Sequence, residues 1–156
     1  MSLRRHVRAA GHARGRWRRA IAVRPLELNC VDQPQLVGIR VLVVEDHDDS
    51  RDVYDEALQF CGATVTTART AREALAAVAE VDIIVTDLFF LGGENGLWLL
   101  DQVNARPQLI PVIVVAGVAE ADHEVLRLAP FALKLLKPVD PLDLARHIAE
   151  VLRGRW

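Results

Sequence analysis

Five short apolar runs punctuate this chain: Ile39–Val44, Thr64–Thr67, Val81–Asp87, Pro111–Ala116 and Phe131–Leu136. Each is short for a helix and the first four are rich in β-branched residues, so each predicts a strand. Between them the apolar spacing changes to the helical one. Asp48 or Asp49 can cap a first helix in which Val53, Ala57, Leu58 and Cys61 recur on one face, and Gly62 stops it. Thr70-Ala71-Arg72-Glu73 is a capping box opening a second helix, with Ala74, Leu75 and Val78 on its buried side. A third helix runs from about Asn95 to Asn104 through Leu97, Leu100 and Val103, and Arg106-Pro107 ends it. A shorter one over Glu120–Leu128 stops before Pro130. Asp140-Pro141 caps the last, whose stripe is Leu144, Ala145, Ile148, Val151 and Leu152. Strand and helix thus alternate at intervals of roughly 20–25 residues, the pattern of repeated βαβ units. Right-handed crossovers then give an α/β fold with a parallel sheet and helices on both faces.

Polar residues break the pattern at particular places. The first strand runs into Glu45-Asp46, the third ends on Asp87, and the fifth runs into Lys137. A lone strand-end aspartate is most simply a loop cap. In a parallel sheet, however, all these ends lie on one edge, the edge where open α/β sheets bind ligands. Three mutually repelling carboxylates there are costly without a hard cation, and Mg2+ is the natural one. A lysine beside them can hold a phosphoryl oxygen. Carboxylate nucleophile, metal and lysine make a site for phosphoryl transfer onto Asp87. Neither GxGxxG after the first strand nor GxxxxGK[ST] anywhere is present, against dinucleotide and P-loop readings.

The 156 residues, 51% apolar, suffice for one domain with a core. No apolar run approaches the ~20 residues of a membrane span. Cys30 and Cys61 lack metal-ligand spacing and read as reduced thiols of a cytoplasmic protein. Charge is unevenly spread: residues 1–36 carry a net +6, all from arginine, and the rest a net −8. Residues 1–36 lack any sustained period and read as a disordered basic extension before a body at 37–156. A nucleic-acid arm, with Trp17 among its arginines, and a transit peptide compete with a plain solvated extension, and the last is preferred.

With Glu45-Asp46, strand-end Asp87, Gly96-Leu97 and Lys137-Pro138 in this order, the chain resembles the response-regulator receiver domain of two-component signalling (CheY-like) from about Ile39 to Leu152. The resemblance implies a flavodoxin-like five-stranded parallel sheet in the order 2-1-3-4-5. It implies that Asp87 accepts a phosphoryl group from a histidine kinase or histidine phosphotransfer protein. Mg2+ would be held by Asp46, Asp87 and the backbone carbonyl of Phe89, with Glu45 helping through water. Lys137 would be turned inward by a cis bond to Pro138. It further implies a phosphoacceptor and not an enzyme, limited to self-phosphorylation from small donors and slow autodephosphorylation. Its output would pass to an unidentified downstream protein, with a homodimer left open and no membrane involved; nucleic acid is left to the basic extension.

The departures are specific. Ala116 stands where most receivers have Thr or Ser, and Lys134 where the switch aromatic usually stands. Leu91 replaces a usual proline, and the 88–96 loop is one residue longer. The hydroxyl-to-aromatic relay therefore lacks both partners. A stand-alone phosphorylatable receiver is the leading reading. A degenerate receiver serving as a phosphorylation-independent interaction module is the second. A Mg2+-dependent phosphohydrolase is the weakest, since the first strand lacks Asp-x-Asp. His47, next to the acid pair, either touches the metal site or is an exposed loop histidine, the second being preferred; His123 and His147 read as helix-surface histidines, and Phe89, Phe90, Leu91 and Trp98 as an apolar cluster near the site, either core or docking patch.

Overall fold

The computed structural model describes residues 34–90, 93–117 and 129–154. Its strands are β1 (Arg40–Val44), β2 (Thr64–Ala68), β3 (Ile83–Asp87), β4 (Val112–Ala116) and β5 (Leu133–Leu136). The described helices, numbered in chain order, are α1 (Asp48–Phe60), α2 (Ala71–Ala77), α3 (Gly96–Asn104) and α4 (Pro141–Leu152); a 3-10 turn over Val78–Glu80 follows α2. The strands form one parallel sheet in the order β2-β1-β3-β4-β5. The expected fold class and strand order are both found. The helix expected over Glu120–Leu128, Cys30 and nearly all of the basic extension lie outside the described residues.

Successive strand side chains point to opposite faces, so a sheet covered on both sides needs apolar residues at every central position. β3 and β4 are buried throughout, and β1 from Val41 onward. Leu42, Val44, Ile84, Val112 and Val114 pack on one face with Ala71 and Ala74 of α2 and Leu99, Leu100 and Val103 of α3. Val41, Val43, Ile83, Val85, Ile113 and Val115 pack on the other with Tyr54 and Leu58 of α1 and Leu144, Ala145 and Ile148 of α4. Each such valine, leucine or isoleucine contributes about 1.5–3 kcal/mol on burial. Two layers of helix thus press the strand ends into one plane and leave the sheet edge for polar groups. β2, with its exposed threonines, and β5, with exposed Lys134 and Leu136, are the edge strands.

Helix starts agree with expectation in part. Thr70 Oγ1 accepts from the Glu73 N–H, while the Glu73 carboxylate accepts from Arg69 N–H, one residue before the cap position. Asp140 accepts from the N–H groups of Leu142 and Asp143 at the start of α4. Asp48 and Asp49 do not cap α1: the cap position is His47, which makes no side-chain cap bond. The buried face of α1 also differs, being Arg51, Tyr54 and Leu58, while Val53 is half exposed. An arginine is drawn inward because its guanidinium finds a backbone carbonyl there, and this rotates the helix away from the purely aliphatic stripe. β1, β3, β4 and β5 begin one or two residues later than expected.

Leu36, placed by its sequence in the extension, is 1% exposed and packs on the α1–α4 side of the sheet. Its N–H donates to the Cys61 carbonyl (2.8 Å). The approach is close: a Cβ on Gly62, whose φ is +92°, would stand 2.8 Å from Val37 Cγ2. A single apolar residue has no periodicity, so its burial is invisible without the fold.

Candidate functional site

At the carboxyl edge of the sheet the backbone sets the positions first. Glu45 follows β1 and its N–H donates to the Ala68 carbonyl (3.1 Å), extending the ladder to β2 past the last strand residue. Asp87 ends β3 opposite Val115 of β4. The Lys137 N–H donates to the Ala116 carbonyl (2.8 Å), fixing the start of the turn after β5, and the Lys137–Pro138 bond is cis.

The side chains then meet. Lys137 Nζ lies 2.5 Å from Asp87 Oδ2 and 3.2 Å from Glu45 Oε2. Glu45 and Asp87 are buried, at 3% and 8% exposure, so the ammonium is their main compensation. Burial works to lower the Lys137 pKa, but the hydrogen bond and charge of Asp87, then those of Glu45, outweigh it and hold the ammonium above its usual range. Asp87 Oδ1 accepts from Leu88 N–H (2.6 Å). Of the residues expected at the site, Lys137 is therefore in direct contact with both Glu45 and Asp87. Asp46 stands beside them, joined to His47, and Phe89 lies two residues past Asp87, partly exposed.

Three supports hold this arrangement. Gly96, at the start of α3, donates its N–H to the Leu88 carbonyl (2.8 Å). A Cβ there would fall 2.5 Å from the Asp87 carbonyl oxygen, so only glycine lets α3 approach the strand end this closely. Thr86 Oγ1 donates to the same carbonyl (2.8 Å). Arg51, buried on α1, donates to the Glu45 carbonyl (3.0 Å) and pairs with Asp48, which also meets Arg69 at 2.9 Å.

Sequence reasoning did not single out Arg51 or Tyr54. Their signal was faint: both lie on the 51/54/58 helical stripe, which an aliphatic search passes over. Tyr54 is buried near the cluster. Burial raises its pKa, the nearby Lys137 charge works against that, and Glu45 and Asp87 add to it.

His47 is exposed, as its loop position implied, but it is not without partners. Its ring is 76% exposed, yet Nδ1 lies 2.9 Å from Asp46 Oδ1 and 3.3 Å from Glu45 Oε1. The hydrogen bond to Glu45, then the charge and bond of Asp46, raise its pKa. His147 meets Glu150 at 3.4 Å, while His123 lies outside the described residues. In the aromatic cluster, Phe90 and Trp98 pack against the α2–α3 core and Arg72 stacks over the Trp98 ring (5.8 Å); Phe89 stays largely open.

The atypical positions are structurally plain. Ala116 is sealed into the α2–α3 side of the core at 1% exposure. Lys134 is exposed on β5, opposite Val114.

The donor chemistry suits a divalent cation. All-oxygen sets of carboxylates and a backbone carbonyl are what Mg2+ takes. The Lys137 ammonium between two buried carboxylates marks a place that calls for positive charge. Glu45, Asp46 and His47 each offer one donor atom, all within 4.8 Å of one another.

Fold and edge together define a doubly wound α/β protein with a cluster of buried charged groups at the carboxyl ends of its strands. The sequence model of the response regulator receiver domain matches residues 41–149, and the chain belongs to that family. It is 32% identical over 120 residues to an uncharacterized 14.6 kDa protein of Leptolyngbya boryana, covering 74% of this chain and 91% of that one. It is 33% identical over 121 residues to the two-component response regulator EHD1 of Oryza sativa subsp. indica, covering 74% of this chain but only 35% of that protein. A CheY-like receiver domain from Methanospirillum hungatei superimposes with a TM-score of 0.66 at 30% identity, covering 75% of this chain and 95% of the other. Receiver domains generally bind Mg2+ and interact with kinases or phosphotransfer partners. Among the described residues no helix is long and apolar enough to cross a membrane.

Proposed function

We propose that the chain is a phosphoacceptor receiver in a cytoplasmic two-component phosphorelay, and that Asp87 takes a phosphoryl group from a histidine kinase or histidine phosphotransfer protein. The observation that carries this is the contact of Lys137 Nζ with Asp87 Oδ2 and Glu45 Oε2 at the strand ends. An Asp87 oxygen forms the new bond to phosphorus as the phosphorus–nitrogen bond of the donor breaks. The donor imidazole leaves with the electron pair. Lys137 moves from the free carboxylate to a phosphoryl oxygen, keeping its charge against the new dianion. Glu45, Asp46, Asp87 and the Phe89 carbonyl would hold Mg2+, which when bound offsets the carboxylates and the incoming phosphoryl oxygens. The chain signals by contact with a downstream protein and acts as an acceptor, not as an enzyme that turns over a substrate.

The test is labelling with acetyl phosphate, or binding of beryllofluoride, on the wild-type chain. A label on Asp87 that requires Mg2+ and is lost in Asp87→Asn is expected. Absence of label with both reagents would reject the phosphoacceptor reading. A second reading, a phosphorylation-independent interaction module, is favoured by Ala116 and Lys134, which remove the usual hydroxyl and aromatic of the switch.

A further inference from the structure

We propose that His47 is a metal ligand, and that with Glu45 and Asp46 it turns the cation site of this receiver into a mixed carboxylate–imidazole site that selects a divalent transition ion, of the Co2+ and Zn2+ kind, over Mg2+. This rests on the reading that a cation is held among the strand-end acids.

The turn after β1 folds the histidine back over the acids. The His47 N–H donates to Glu45 Oε1 (3.2 Å), and the ring follows, with Nδ1 between Asp46 Oδ1 and Glu45 Oε1. Arg51 pins the turn from beneath by its bond to the Glu45 carbonyl. The three donor atoms lie within 4.8 Å of one another. Ligand bonds of about 2.0–2.1 Å put neighbouring donors of one ion roughly 3 Å apart, the spacing at which Nδ1 already stands from Asp46 Oδ1 (2.9 Å) and Glu45 Oε1 (3.3 Å), so a small shift of the ring turns it onto a cation held by the two acids. The ring can make that movement because it is open to solvent. Glu45, nearly sealed and tied to Lys137, cannot move far and serves as the fixed member.

Ligand type then decides the ion. Oxygen donors and water suit Mg2+, which gives up its water reluctantly, whereas imidazole suits Zn2+ and its neighbours. Even an all-oxygen site binds transition ions more tightly than Mg2+, so that preference alone is not diagnostic. Dependence on the imidazole is.

The experiment titrates the full chain with Mg2+, Co2+ and Zn2+ by calorimetry, in wild type, His47→Ala and Asp46→Asn. Pulsed EPR with Mn2+ as probe reads nitrogen coupling directly. Sites elsewhere, including His6, His12 and Cys30, cancel in the difference between wild type and variant. The expected result is that His47→Ala weakens Co2+ and Zn2+ by about tenfold or more, leaves Mg2+ within about twofold, and abolishes a nitrogen modulation present in wild type. Unchanged Co2+ and Zn2+ affinity, or no nitrogen modulation in wild type, would overturn the proposal. Equal weakening of all three ions would also overturn it, since His47 would then only shape the turn. If Asp46→Asn weakens every ion while His47→Ala does nothing, His47 as ligand fails and the cation site stands. If Asp46→Asn leaves Mg2+ binding unchanged, the cation-site reading itself fails.

Discussion

Lys137 Nζ lies 2.5 Å from Asp87 Oδ2, a contact that spans 50 residues of chain and ties the end of β5 to the end of β3. With Glu45 on its other side, the ammonium is enclosed by two buried carboxylates. Lys137→Ala leaves those two charges facing each other. Because the lysine side chain is one-third exposed, the cost is below that of a fully buried pair, about 1–2 kcal/mol. Chemical denaturation measures it. Millimolar Mg2+ is expected to restore part of the loss, as a cation can take over the role.

The same surroundings predict an alkaline limb of stability. The folded Lys137 pKa is raised, so its contribution is fully present below its unfolded value and is lost as pH rises through the folded one. Tyr54, the single tyrosine, acts in the same direction. The unfolded chain releases the phenolic proton near its ordinary value of about 10 while the folded chain retains it, and stability falls above that pH. Tyrosinate absorption should rise only above about 10 in the folded protein. In Lys137→Ala it should rise at still higher pH, because a charge that favours the phenolate is gone.

Gly96→Ala tests the close approach of α3. Alanine is the better helix former by about 1 kcal/mol, but its Cβ would meet the Asp87 carbonyl oxygen, a backbone atom. Net destabilisation of about 1–3 kcal/mol is expected, with chemical-shift changes concentrated at Asp87 and Leu88 in backbone NMR.

Arg51→Met keeps the buried stem and removes the guanidinium, taking away the donor to the Glu45 carbonyl and the partner of Asp48. A loss of about 1–3 kcal/mol is expected, read from the denaturation midpoint. Divalent-cation affinity should fall as well, since the turn bearing Glu45 and Asp46 loses its anchor.

Leu36→Ala should cost about 2–4 kcal/mol in the same measurement, because a fully buried leucine is truncated. Had Leu36 been part of a solvated extension, the substitution would leave the midpoint unchanged.

The order of the described elements, the parallel sheet and the edge bearing Glu45, Asp46, Asp87 and Lys137 were all legible in the sequence. Period, capping and β-branching are local properties, and a parallel sheet necessarily gathers its strand ends on one side. Tertiary structure alone decided which groups near those ends touch. Arg51 is buried because the Glu45 carbonyl just after β1 meets it, and His47, exposed as its loop position implied, is nonetheless bonded to both acids. Gly96 is needed because the Asp87 carbonyl comes within reach, and Leu36 is buried because α1 and α4 leave a place for it. Each of these depends on a partner distant in the chain or on the angle of a turn, and hydrophobic periodicity carries neither.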